Sequence, residues 1–144
     1  MSDASDPAIL EAYNDVRNDK TDTDWLAVTY ADDSKKKWKL VGKGTGGLEE
    51  LKGILTEDFR GYGYLRVITG DELSKRAKFV FIRYIGEKVK FLDRATLGVH
   101  QADVEKVISE KSINIEASTH GELIYGDIEK RVKIAGGANY GVGK

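Results

Sequence analysis

The stretch Ser74-Lys75-Arg76-Ala77-Lys78-Phe79-Val80-Phe81-Ile82 crowds three cations onto the entry of an unbroken apolar run. A strand that is apolar at consecutive positions is buried on both faces, so the sheet that holds it must be covered on both sides. The run extends to Ile85, which makes Ala77 to Ile85 the most apolar segment and the expected centre of the sheet. Gly70-Asp71-Glu72 ahead of it reads as a turn, so Lys75, Arg76 and Lys78 should project at one rim.

Working outward, Phe59 to Ile68 alternates aromatic and aliphatic residues around Gly61 and Gly63 and reads as the neighbouring strand. Further upstream, Trp25-Leu26-Ala27-Val28-Thr29-Tyr30 and Trp38-Lys39-Leu40-Val41 flank the turn residues Ala31-Asp32-Asp33-Ser34, which predicts a hairpin. Asp6-Pro7 has the chemistry of an N-cap followed by N1, and Ile9, Tyr13 and Val16 share one face, so a helix is expected over 6–18. Leu48, Leu51, Ile54 and Leu55 predict a second helix. A third is expected over 94–109, with Val104, Val107 and Ile108 inward and His100, Gln101, Asp103 and Lys106 outward. Ser112 to Ser118 reads as a strand. Thr119 and Glu122 stand at capping-box spacing before a last helix with Ile124, Ile128 and Val132 on one face. Lys130, Arg131 and Lys133 suit the negative end of that helix.

The order α–β–β–α–β–β–α–β–α describes one α/β (α+β type) domain, a mixed sheet with helices on both faces. It spans 1–135, and 136–144 is expected to be a flexible tail.

Composition removes several classes of function. The 144 residues contain no cysteine, which excludes disulfides, thiolate nucleophiles and zinc–thiolate sites. The acidic start Met1-Ser2-Asp3-Ala4-Ser5-Asp6 is unlike a signal peptide, and no apolar run approaches the roughly 18 residues of a membrane span. A soluble intracellular protein is therefore expected. Net charge is −1, with two basic groups against seven acidic ones in residues 1–24 and a net positive remainder. That balance is too mild for a nucleic-acid-binding domain.

Gly42-Lys43-Gly44-Thr45-Gly46-Gly47 matches G-x-G-x-x-G between a strand and a helix. Its strand belongs to an antiparallel hairpin, however, and the next acids, Asp71 and Glu72, come later than a ribose-binding acid should. A plain strand-to-helix connection explains the loop, and a nucleotide site is the minor alternative. His100 and His120 are the only histidines and share no metal-binding spacing. Asp71 and Glu72 read as solvated turn residues, and no G-x-S-x-G elbow occurs, so neither a metal nor an enzymatic activity is expected. Lys35-Lys36-Lys37 with Lys39 suits an edge strand that blocks aggregation.

Longer segments carry a resemblance. Ala12-Tyr13-Asn14-Asp15-Val16-Arg17, Gly70-Asp71-Glu72, Ser74-Lys75-Arg76-Ala77-Lys78-Phe79, Ile85-Gly86-Glu87, Arg94-Ala95 and Ala135-Gly136-Gly137-Ala138-Asn139-Tyr140 together resemble the coactosin-like members of the actin-depolymerising-factor homology family. The resemblance implies a mixed five- to six-stranded sheet between helices. It also implies binding to filamentous actin without cofactor or catalysis, and without severing, together with interference with barbed-end capping. The lysine that matters for actin in S-K-R-x-K-F falls on Lys78, with Lys75 and Arg76 beside it. The family's long actin-facing helix corresponds to Arg94–Lys106, which adds Arg94, Leu97, His100 and Gln101, with Leu97 and Val99 as apolar contacts. Lys130, Arg131 and Lys133 would serve a second, filament-specific contact. A cytoplasmic monomer associated with the cytoskeleton at the actin-rich cortex is the expectation. The alternative is a module of this fold with a non-actin partner, an acidic lipid or a signalling enzyme.

Three departures stand out. Asp93-Arg94-Ala95 replaces the two basic residues that cofilin-type members carry before the long helix, implying weak monomer binding and poor severing. Ile134 stands where vertebrate relatives have a lysine that contacts a non-actin partner. Neither Ser2 nor Ser5 clearly matches the inhibitory serine of cofilins, so phosphoregulation is not carried over.

Overall fold

The computed structural model describes residues 2–70 and 75–135. The expected turn Asp71–Glu72 and the tail 136–144 lie outside them. In chain order the elements are α1 (Pro7–Arg17), β1 (Trp25–Tyr30), β2 (Trp38–Gly44), α2 (Gly47–Ile54), β3 (Arg60–Thr69), β4 (Arg76–Ile85), α3 (Phe91–Glu105), β5 (Ile113–Ala117), a 3₁₀ turn (His120–Glu122) and α4 (Tyr125–Ala135). The strands lie in the order β2-β1-β3-β4-β5, antiparallel except for the parallel β4–β5 pair. A single parallel bridge from Asp3 to Lys37 extends the β2 side.

Alternation along β4 divides the interior into two cores. Phe79 and Phe81 face α1 and α3, packing with Ile9, Val16, Tyr64, Leu97 and Val104. Val80, Ile82 and Tyr84 face α2 and α4, packing with Leu51, Leu55, Ile128 and Val132. This is the two-sided burial that the apolar run demanded. The middle strand is nevertheless β3, not β4. Its glycines permit that place: a Cβ on Gly61 would lie 2.1 Å from the Val28 carbonyl oxygen of β1.

Local chemistry sets the helix ends. The Asp6 carboxylate accepts from the Ala8 N–H at 3.0 Å, with Pro7 following it. At the other end of α1, the Arg66 guanidinium donates to the carbonyls of Val16 (2.9 Å), Thr21 (3.1 Å) and Asn18 (2.8 Å), neutralising the helix's negative pole. The Thr119–Glu122 capping box is present, but it closes the 3₁₀ turn instead of starting α4. Ile124 therefore falls before the helix and is exposed, while Ile128 and Val132 are buried as expected.

Candidate functional site

The sequence-predicted residues divide between the two faces of the sheet. Arg76 and Lys78 share the alternation of Val80 and Ile82, so they stand on the α4 side at the entry of β4, opposite Thr69 and Val67 of β3. Arg76 is exposed and Lys78 half-buried; Lys75, just before the strand, is exposed. Lys130, Arg131 and Lys133 are all exposed on α4, and Arg131 reaches the Asn114 carbonyl of β5 at 3.5 Å. Six cations thus lie along the α4 face and its rim.

Arg94, Leu97, His100 and Gln101 belong to α3, on the opposite face. Here the structure corrects the expected orientation. Leu97 is fully buried, and the Tyr62 hydroxyl donates to its carbonyl at 2.5 Å. His100 is buried rather than outward, its Nδ1 hydrogen-bonded to the Tyr30 hydroxyl at 2.9 Å. Burial pushes the His100 pKa down and the Tyr30 pKa up to about 12. Gln101 is half-buried and accepts from Arg83 at 2.8 Å; Arg94 is half-buried and donates to the Gly86 carbonyl at 3.3 Å. One turn on, Asp103 accepts from both the backbone N–H (2.9 Å) and the hydroxyl (2.8 Å) of Ser2. These residues hold the helix; Leu97 and His100 are turned away from any partner on its outer side.

The outer side is apolar. Phe91 (81% exposed), Leu92 (75%) and Val99 (75%) stand out of the protein, joined by the exposed Ala95, Gly98 and Ala102. At about 100° per residue these six positions occupy a sector roughly 120° wide. None carries a charge. An uncharged stripe of this kind, exposed among the described residues, is a candidate interaction surface. Phe91 and Leu92 escape the sequence reading because α3 begins three residues before the expected Arg94. The spacing Phe91, Ala95, Val99 and Ala102 was the available signal, a second apolar stripe opposite Leu97 and Val104.

Comparison with known proteins shows the family. Residues 1–133 match the family described as cofilin/tropomyosin-type actin-binding protein. The chain belongs to that family. It is 38% identical to coactosin of Dictyostelium discoideum over 141 residues, which cover 97% of this chain and 95% of the relative. The crystal structure of coactosin from Entamoeba histolytica matches with a TM-score of 0.84 at 33% identity, covering 93% of this chain and 96% of that one. The solution structure of mouse coactosin, titled an actin filament binding protein, matches with a TM-score of 0.76 at 31% identity, covering 99% and 98%.

Within this cofilin-type fold the glycine loop has a structural role. The Glu50 carboxylate accepts from the Gly46 N–H at 3.0 Å and from the Trp25 indole at 2.7 Å, and Asp24 accepts from the Gly47 N–H at 3.0 Å. Two carboxylates therefore occupy the amides that a pyrophosphate would need, and their charge repels one. Among the described residues no group of three or more His, Asp or Glu could hold a metal ion, and no helix is long and apolar enough to cross a membrane.

Proposed function

We propose that this chain binds actin filaments as a monomer in the cytoplasm, at the cytoskeleton and the actin-rich cortex, without catalysis, cofactor or nucleic acid. The observation that carries this reading is the uncharged outer stripe of α3 on a chain of the cofilin-type family. Such a stripe supplies the desolvated centre that a tight interface needs. The basic set on the α4 side faces the other way, about two packing layers or roughly 20 Å off. A single flat surface cannot meet both. Two neighbouring subunits of a polymer can, which favours filament over monomer. Lys75, Arg76, Lys78, Lys130, Arg131 and Lys133 steer the approach to an acidic filament and set its register.

Asp93-Arg94-Ala95, now in the first turns of α3, stands in place of the paired basic residues of cofilin-type members and supports binding without severing. Occupation of the filament side near its end would then oppose barbed-end capping. Co-sedimentation with preformed filaments at physiological salt tests the reading: wild type should pellet saturably and Lys78→Glu should stay in the supernatant. Lys78→Ala should weaken pelleting more than Lys36→Ala. Equal losses would mean diffuse attraction without a site, and wild type left in the supernatant refutes the function. Barbed-end elongation in the presence of a capping protein tests the finer claim, with faster elongation expected when the chain is added.

A further inference from the structure

No side chain of α3 is buried between Phe91 and Thr96; its packing into the core begins at Leu97. The N-cap residue, Lys90, makes no capping bond with its side chain. What ties this first turn and a half to the protein is polar. The Asp93 carboxylate, 13% exposed, pairs with the Lys35 ammonium through one oxygen and accepts from Arg60 Nη1 at 2.6 Å through the other. The Arg60 guanidinium lies 5.2 Å from the Tyr30 ring centroid and reaches Asp33 at 3.5 Å. Arg94 adds its bond to Gly86. The tip of the β1–β2 hairpin, the start of β3 and the start of α3 therefore meet at one carboxylate.

The hairpin tip is shaped for this meeting. Lys35 has φ +59°, the one non-glycine residue in the left-handed region among the described residues. Lysine is disfavoured there, because its Cβ crowds the following carbonyl and its side chain offers no local hydrogen bond in return. Backbone strain of this kind persists where the surroundings over-determine it, and such places cluster at functional sites.

We infer that Asp93 is a positioning residue for the partner surface. By gripping Lys35 and Arg60 it fixes the first turn of α3, and with it the direction in which Phe91 and Leu92 leave the protein. This rests on the filament reading and adds to it a residue that touches no partner. An unclamped first turn is a helix end with no buried side chain, free to fray. Apparent affinity falls in proportion to the fraction of time the competent shape is present. A first turn ordered ~10–20% of the time would weaken binding about 5- to 10-fold.

The test compares wild type, Asp93→Asn, Asp93→Glu and Lys35→Met by filament pelleting, by amide hydrogen exchange and by thermal unfolding. Asp93→Asn should bind about 5- to 10-fold more weakly, with exchange accelerated over 91–96 and unchanged over 97–105. Asp93→Glu should recover part of both. Lys35→Met, at an exposed hairpin tip, should show the same pattern more weakly and keeps the test decisive if Asp93→Asn unfolds. Wild-type affinity in both Asp93→Asn and Lys35→Met overturns the inference. Weakened binding with unchanged exchange also overturns it, since Asp93 would then be a direct contact. Wild type that does not pellet refutes the filament reading and the positioning role together, whatever the exchange shows.

Discussion

Leu97 and Val99 are two residues apart on α3, and truncating each to alanine should damage different properties. Val99 is 75% exposed. Val99→Ala removes two carbon groups worth about 0.8 kcal/mol each when buried. Three-quarters of that area is still open to a partner, so filament binding should lose ~1.2 kcal/mol, about an 8-fold rise in Kd. Stability should hold or rise slightly, since alanine is the better helix former by a few tenths of a kcal/mol. Leu97 is fully buried beneath the same helix, so Leu97→Ala leaves a cavity and should cost about 2–5 kcal/mol of stability. Its Kd should stay within about twofold while the protein remains mostly native. Quantitative co-sedimentation and urea denaturation, run on both variants, separate the two effects. Wild-type pelleting by Val99→Ala, or lost affinity in Leu97→Ala while it is more than nine-tenths folded, would refute this division of roles.

Two further expectations follow from packing and charge. A Cβ on Gly86 would lie 2.1 Å from the Glu57 carbonyl oxygen and 2.6 Å from that of Thr56, and the Gly86 N–H is committed to Phe59 at 2.8 Å. The obstruction is backbone, so Gly86→Ala should cost about 3 kcal/mol, read as a lower urea midpoint with unchanged slope; a midpoint within error of wild type would contradict this. Asp103 is held below its ordinary 3.8 by the Ser2 backbone N–H and then the Ser2 hydroxyl, and Asp93 by the Lys35 ammonium foremost. A carboxylate with a depressed folded pKa stabilises fully above its ordinary value and loses that contribution as pH falls through the folded one. Thermal unfolding at pH 6 and pH 3 should therefore show a smaller acid loss in Asp103→Asn than in wild type, and an equal loss would show that the Ser2 contacts do not matter.

Much of the architecture was legible because its signals are local. The Asp6-Pro7 cap, the Trp25–Tyr30 and Trp38 hairpin, the doubly apolar β4 and the element order rest on neighbours in sequence. The errors have one kind of cause. Hydrophobicity predicts β4 as the centre of the sheet, whereas the middle is β3, because Gly61 and Gly63 allow close approach that hydrophobicity does not register. The Thr119–Glu122 spacing predicts a helix start, but a 3₁₀ turn satisfies that spacing as well as an α-helix does. At the candidate site, pattern and resemblance point to the basic residues, and the structure sets all of them but Arg94 on the α4 side of the sheet or its rim. Of the apolar stripe of α3, the sequence reading names only Val99.

That stripe marks where local information ends. The sequence by itself determined that this region is helical, expected over 94–109 where the helix runs Phe91–Glu105, and that it has apolar positions at helical spacing. It determined too that cations crowd the entry of β4 and the last turns of α4. Both flanks of α3 are apolar, so periodicity cannot say which one turns inward. Tertiary structure decided it: Tyr62 grips the Leu97 carbonyl, Tyr30 meets His100 and Asp103 binds Ser2, all from one direction. A buried polar group needs its partner, and those partners lie 35, 70 and 101 residues away along the chain. With that flank committed, Phe91, Leu92 and Val99 are left facing water, and the surface available to a partner follows from the contacts behind it.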